Sequence, residues 1–300
     1  MKIWLQAFRL RTLFLSLACI LMGVFLAKIY VQNISVLSVC LTLLTALFLQ
    51  ILSNLANDYG DSKHGADNSE RKGPQRAVQS GKITAKQMLT AIIVFTLLSL
   101  VSGIFLLYTC SNIIGLTGVI TLFVFGIVSI IAAITYTNGK KPYGYLGLGD
   151  ISVFIFFGIV SVVGTFYLLT GSINAMIILP AISCGLFAVG VLNLNNMRDI
   201  DSDLLAGKKS IPARLGFEKS KKYHYIIVVI GLISSLVFVM FYKEFPTLKN
   251  LSFVACYPFF LKQLFTVKKT QNKLLLDPLL KQLAISTLLF VLLFGFGNAF

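Results

Sequence analysis

Charge is scarce in this chain. Only 12% of its 300 residues are Asp, Glu, Lys or Arg and 57% are hydrophobic, where a soluble domain carries about 25% charged residues. That balance excludes an ordinary soluble globule. Acids are scarcer still, 11 against 26 Lys and Arg. Histidine is nearly absent: His64 and His224 stand alone, so neither starts a metal cluster, and His224 at the start of an apolar run reads as interfacial. The five cysteines, Cys19, Cys40, Cys110, Cys184 and Cys256, form no CxxC pair and no metal-ligand spacing, which leaves them as small hydrophobes. The glycine-bearing segment GPQRAVQSG at 73 to 81 lacks a GK[ST] ending and is therefore no Walker A loop. Although the net charge is +15, the bases are spread over short segments with no nucleic-acid module, so no nucleic-acid partner is expected.

What is present is apolar sequence, in runs of about 20 residues, each long enough to cross roughly 30 Å of hydrocarbon as a helix. Polar punctuation delimits nine candidate spans: 13–31, 35–57, 87–108, 112–136, 150–170, 173–196, 223–242, 246–266 and 281–299. Lys2, Arg9 and Arg11 before the first run suggest a signal peptide, but no small-residue cleavage site with a soluble domain follows, so the run is read as an uncleaved first span. The expected fold is all-α: a polytopic bundle of nine transmembrane helices in the lipid bilayer, one domain over 1–300. With the N-terminus in the cytoplasm, every Lys and Arg except Lys28, Lys243 and Lys249 falls on the cytoplasmic side, as the positive-inside rule requires.

That rule does not explain acids, and these gather. Asp58, Asp61, Asp67 and Glu70 follow span 2, and Asp199, Asp201 and Asp203 follow span 6. In a continuing helix Asn195, Asp199 and Asp203 stand at i, i+4 and i+8 on one face, and Asn57 and Asp61 repeat the spacing. The preceding residues echo too, NLAN at 54–57 and NLNN at 193–196, which suggests two halves whose second helices face a central site. A carboxylate near the bilayer centre costs about 2.5 to 3.5 kcal/mol on insertion scales, and like charges one turn apart repel, so something cationic should neutralise these. Clustered carboxylates and amide oxygens without His or Cys suit Mg²⁺, which shares its shell with substrate phosphates. Arg71, Lys72, Arg76, Lys140, Lys141, Lys208 and Lys209 are then candidates to hold a diphosphate. Gly60, Gly65, Gly73, Pro74 and Gly81, and Gly207 with Pro212, break regular structure after each motif and make the loops at 54–86 and 195–222 a candidate cap. Paired half-motifs with intramembrane acids also mark ion-coupled secondary transporters, but carriers place such acids near the midplane, whereas these sit at helix ends beside capping loops.

Four stretches carry a resemblance: NLANDYGDSKHGAD at 54–67, GPQRAVQSG at 73–81, YGYLGLGDISVFIFFGIVSVVGTFY at 143–167 and NNMRDIDSDLLAGKKSIPARLG at 195–216. With them the chain resembles the UbiA superfamily of intramembrane aromatic prenyltransferases, and its MenA branch within that. The resemblance implies nine transmembrane helices around a cavity capped by loops 2–3 and 6–7, in the bacterial inner membrane with the active site cytoplasmic. It implies Mg²⁺ as cofactor, held by Asn57, Asp58, Asp61, Asp67, Asp199 and Asp203. Arg71, Arg76, Lys140, Lys141, Lys208, Asn57 and Asn195 would hold the diphosphate. Asp61, Asp199 and Tyr136 would be catalytic, with Tyr136, Tyr143 and Tyr145 shielding a prenyl cation. The implied substrates are a polyprenyl diphosphate and 1,4-dihydroxy-2-naphthoate, joined with loss of CO₂ and diphosphate to give demethylmenaquinone; another aromatic acid is the alternative acceptor. The chain departs from the family pattern at Gly65, where an acid is expected, and at Leu10, where Pro commonly follows Arg, which leaves Arg9 and Arg11 as alternatives for facing the substrate.

Overall fold

The computed structural model describes residues 2–65 and 76–300. Asp67 and Arg71, expected in the metal and diphosphate sets, lie outside the described residues. Among the described residues every regular element is helical, as hydrocarbon demands: it offers no partner to a free N–H or C=O, and a helix satisfies both internally. Seven helices are long and apolar enough to cross a membrane: Leu10–Tyr30, Val36–Lys63, Ala85–Thr135, Gly149–Thr170, Ala175–Arg198, Phe217–Tyr242 and Lys273–Asn298. The chain is an all-α, multi-pass membrane protein.

The expected nine spans differ from these seven helices in two places. Spans 87–108 and 112–136 form one element, Ala85–Thr135, of 51 residues. Drawn straight it would run about 75 Å, more than twice the hydrocarbon thickness. It is broken at Gly115, whose φ of 65° and ψ of 178° are open essentially to glycine alone. Met88 and Ile92 near its start and Ile130 and Ile134 near its end pack on the same apolar cluster around Leu52 and Leu55, so the element doubles back as a hairpin. The second difference lies at 246–266, occupied by the 3-10 turn Ser252–Cys256 and the 13-residue helix Tyr257–Lys269. At about 20 Å that helix alone is shorter than the hydrocarbon.

The larger apolar core joins the C-terminal helices to Leu10–Tyr30, a smaller one surrounds Leu52 and Leu55, and the lipid face lies outside. Phe187 lies with its ring centroid 4.7 Å from Phe260 and 5.4 Å from Phe290. Gly231 makes this possible, since a Cβ there would stand 2.7 Å from the Phe187 ring. Along the Ala85–Thr135 hairpin, Val101 and Leu116 are 64% and 75% exposed. Such apolar exposure is costly in water and neutral against lipid tails. His224, expected at the interface, is fully buried and its Nε2 meets the Gln263 side chain.

Candidate active site

The end of Val36–Lys63 is built for close approach. A Cβ at Gly60 would stand 2.6 Å from the Thr137 carbonyl oxygen, so glycine alone lets this helix lie against the end of the hairpin. The contact fixes Asn57: Thr137 Oγ1 donates to the Ala56 carbonyl at 3.1 Å and to Asn57 Oδ1 at 3.3 Å. Asp61 is buried. Its Oδ1 accepts from the Tyr145 hydroxyl at 2.8 Å and its Oδ2 pairs with Arg76, which also donates to the Asn57 carbonyl at 3.0 Å. Burial and the neighbouring Asp61 push the Tyr145 phenol well above its ordinary range, so it stays a neutral donor. Asp58 turns instead to the 76–80 segment, where its Oδ2 accepts from the Ala77 N–H at 3.2 Å while its buried Oδ1 has no hydrogen-bond partner.

The second motif is not the unbroken helix its spacing predicts. The helix Ile178–Arg198 ends at Asp199 and the short helix Ile200–Leu205 begins beyond it. The i, i+4 bonds nevertheless survive the break, Asp199 N–H to the Asn195 carbonyl at 3.1 Å and Asp203 N–H to the Asp199 carbonyl at 2.9 Å. Ile200–Leu205 closes in a Schellman motif: Lys208 N–H donates to the Asp203 carbonyl at 2.8 Å and Gly207 N–H to the Leu204 carbonyl at 3.1 Å, with Gly207 at φ 69°. That turn carries Lys208 back, and its Nζ lies 3.5 Å from Asp203 Oδ1. Ser210, which caps Ile211–Leu215, donates to Asp203 Oδ2 at 3.3 Å. Burial opposes the Lys208 charge, but Asp203 and Asp61 outweigh it and hold the ammonium above the usual lysine range. Burial pushes the Asp203 carboxyl up against the pull of Lys208.

Asp199 is held differently. Arg198 Nε donates to its Oδ1 at 2.9 Å and Nη2 to its Oδ2 at 2.7 Å, a two-point clasp. Nη2 also donates to Asn195 Oδ1 at 2.9 Å, and Nη1 pairs with Asp277, which accepts from Arg11 Nη1 at 2.9 Å. Arg198 is fully buried. Sequence reasoning passed over Arg198 and Asp277, although Asp277 is the one acid after Glu244 in the sequence.

Part of this set closes one end of a cavity of about 370 Å³, whereas Asp58, Asp199 and Asp203, expected as metal ligands, are not among its lining residues. Asn57, Asp61, Arg76, Asn195, Lys208 and Tyr136 line its polar end; Leu106, Leu107, Leu122, Phe123 and Leu168 line the body. Arg9 and Arg11, the two alternatives, both line it. Tyr136 packs edge-on to Tyr143 with centroids 5.3 Å apart, and Gly149 leaves its hydroxyl room, since a Cβ there would stand 2.6 Å away. Burial raises the Tyr136 phenol well above its ordinary range, so it too is neutral. Two expectations are corrected: Lys140 and Lys141 are exposed and do not line the cavity, so of the cations expected to hold the diphosphate only Arg76 and Lys208 line it among the described residues. They flank Tyr136 in sequence, but the turn after it points them outward.

The donor chemistry fits a hard divalent cation. Every candidate ligand offers oxygen, the donor type a hard cation prefers. Among the described residues no three acids gather closely enough to hold a metal alone. Asp61, Asp199 and Asp203 are paired with Arg76, Arg198 and Lys208. Such a set suits an ion that arrives with substrate phosphates rather than one resident in a protein cage.

A sequence profile of the UbiA prenyltransferase family matches residues 16–275. The chain belongs to this family. Its relatives there include two proteins named 1,4-dihydroxy-2-naphthoate octaprenyltransferase. The one from Haemophilus influenzae is 43% identical over 99% of this chain and 96% of its own length. That from Escherichia coli is 41% identical over 98% and 94%. The UbiA fold is also seen in solved structures: a UbiA homolog from Archaeoglobus fulgidus bound to DMAPP and Mg²⁺ superposes with a TM-score of 0.61 at 18% identity, covering 99% of both chains. The apo UbiA homolog from Aeropyrum pernix K1 gives 0.68 at 15% identity over 93% of this chain and 97% of its own.

Proposed function

We propose that the protein transfers a polyprenyl group from polyprenyl diphosphate to 1,4-dihydroxy-2-naphthoate in menaquinone biosynthesis, working in the bacterial inner membrane with its charged end at the cytoplasmic face. The observation that carries this reading is one cavity whose polar end joins Asn57, Asp61 and Arg76 from the first motif region to Asn195 and Lys208 from the second, with an apolar body beneath it. A diphosphate with an isoprenoid tail has that polarity. The whole-length relatives named for this acceptor support the choice of substrate.

Arg76 and Lys208, lining the polar end, would take the diphosphate oxygens, joined by the Asn57 and Asn195 amides and by Arg71. Mg²⁺, when bound by Asn57, Asp58, Asp61, Asp67, Asp199 and Asp203, supplies positive charge that stabilises the departing diphosphate. The allylic C–O bond breaks with its electron pair leaving on diphosphate. The neutral Tyr136 phenol turns its ring toward the cavity, where it shields the allylic cation from water by cation–π attraction. The naphthoate ring carbon bearing the carboxylate gives its π pair to the new C–C bond. The C–CO₂ bond then breaks, CO₂ departs, and that electron pair restores the ring, leaving demethylmenaquinone in its hydroquinone form. No nucleophilic side chain is consumed.

Purified protein incubated with polyprenyl diphosphate and, separately, 1,4-dihydroxy-2-naphthoate, 4-hydroxybenzoate or homogentisate tests the acceptor. Mass spectrometry of the lipid product is expected to find the naphthoate product alone; prenylated 4-hydroxybenzoate as the main product would overturn the assignment.

A further inference from the structure

Four charged groups alternate in sign across three helices behind the second motif: Arg11, Asp277, Arg198 and Asp199. Arg198 is their hinge. It is fully buried, so no water neutralises it, and a buried guanidinium must keep carboxylate partners whatever else happens at the site. In this structure it spends three donors on the motif itself, two on Asp199 and one on the Asn195 amide oxygen. Asn195 and Asp199 are therefore not yet free to serve a cation. The remaining nitrogen, Nη1, reaches Asp277 at the start of the last membrane helix. Among the described residues, Asp277 is the other carboxylate paired with Arg198, able to keep it neutralised when Asp199 turns away.

We propose that Asp277 is a positioning residue for divalent-cation binding: its carboxylate takes over the Arg198 charge and so releases Asp199 and Asn195 to the metal. This rests on the reading of Asp199 as a metal ligand made above. Without the Asp277 charge, the full Arg198 charge would fall on Asp199. The two-point clasp would then tighten, and a cation would have to compete with it. Arg11 tunes the same exchange, because its 2.9 Å bond to Asp277 Oδ1 draws on the oxygen that Arg198 needs. Outer partners that orient metal ligands are worth about 10- to 100-fold in metal affinity.

Asp277→Asn keeps the shape and removes the charge, and Asp277→Glu keeps the charge. Two measurements separate positioning from mere structure: Mn²⁺ binding by electron paramagnetic resonance to detergent-purified protein saturated with an unreactive prenyl thiodiphosphate, and the Mg²⁺ concentration giving half-maximal transfer. For Asp277→Asn both are expected to weaken by about 10- to 100-fold, with kcat at saturating Mg²⁺ largely kept. Asp277→Glu is expected to stay within about threefold of the parent, a fraction of that same loss. Unchanged Mn²⁺ binding in Asp277→Asn, or equal weakening in both variants, would overturn the proposal. So would an Asn variant that cannot fold beside a Glu variant that folds, because the pair would then be structural. Asp199→Asn is the control: if it leaves Mn²⁺ binding untouched, the ligand assignment itself fails and this inference with it.

Discussion

Gly60 is the position where packing and chemistry meet, and Gly60→Ala perturbs both by one methyl group. The new Cβ would stand 2.6 Å from the Thr137 carbonyl oxygen and 2.7 Å from its carbonyl carbon, where ordinary contacts begin at 3.4 Å. Those atoms are backbone and cannot swing aside, so the helix and the hairpin end must part by about 0.8 Å. Overpacking of this kind costs about 1 to 3 kcal/mol. Alanine returns about 1 kcal/mol of helix propensity, and with two backbone atoms inside 3 Å the clash wins, leaving a net loss of up to about 2 kcal/mol. The movement reaches the site directly. Thr137 bonds Asn57 and adjoins Tyr136, and a misplacement near 1 Å can cost about 100-fold in rate. Thermal unfolding in detergent and steady-state transfer measure the two effects. The expected result is a lower unfolding midpoint with kcat/KM down by about 10- to 100-fold. Gly126→Ala, where nothing within 4 Å meets the added Cβ, should raise the midpoint instead. A Gly60→Ala protein with parental stability and rate would refute the packing argument.

Two further perturbations divide binding from folding. Lys208→Ala removes the ammonium beside Asp203 and should raise the KM for polyprenyl diphosphate more than it lowers kcat, read from steady-state kinetics at fixed acceptor; an unchanged KM would remove Lys208 from the diphosphate set. Gly115→Ala forces a side chain into a conformation that costs about 1 to 3 kcal/mol, so the unfolding midpoint should fall. The turn lies at the far end of the hairpin from the charged groups, and the KM values should hold.

Much of the site was legible because helical spacing and charge speak locally. Asn57 and Asp61, and Asn195, Asp199 and Asp203, are each one turn apart, and the backbone bonds across Asp199 preserve that spacing even where the helix breaks. The membrane helices were legible for the same reason, since an apolar run of fixed length has few other uses. What escaped the sequence is what two distant segments decide together. Lys208 rather than Lys140 enters the site because a Schellman turn at Gly207 carries it inward, a choice made by tertiary fit. Arg198 and Asp277 are 79 positions apart, and no local pattern pairs them. The hairpin at Gly115 reads as two spans or one element depending on a single dihedral angle.

The central claim is that carboxylates of both motifs act together on a prenyl diphosphate at the polar end of the cavity. The direct measurement is transfer of a polyprenyl group to 1,4-dihydroxy-2-naphthoate by the parent, Asp61→Asn and Asp199→Asn, each over a range of Mg²⁺ and after chelation. The account predicts product from the parent only when Mg²⁺ is present and a fall of at least about 100-fold, the scale of one lost charge-stabilising group, in both variants. Parental rates in both variants would contradict it.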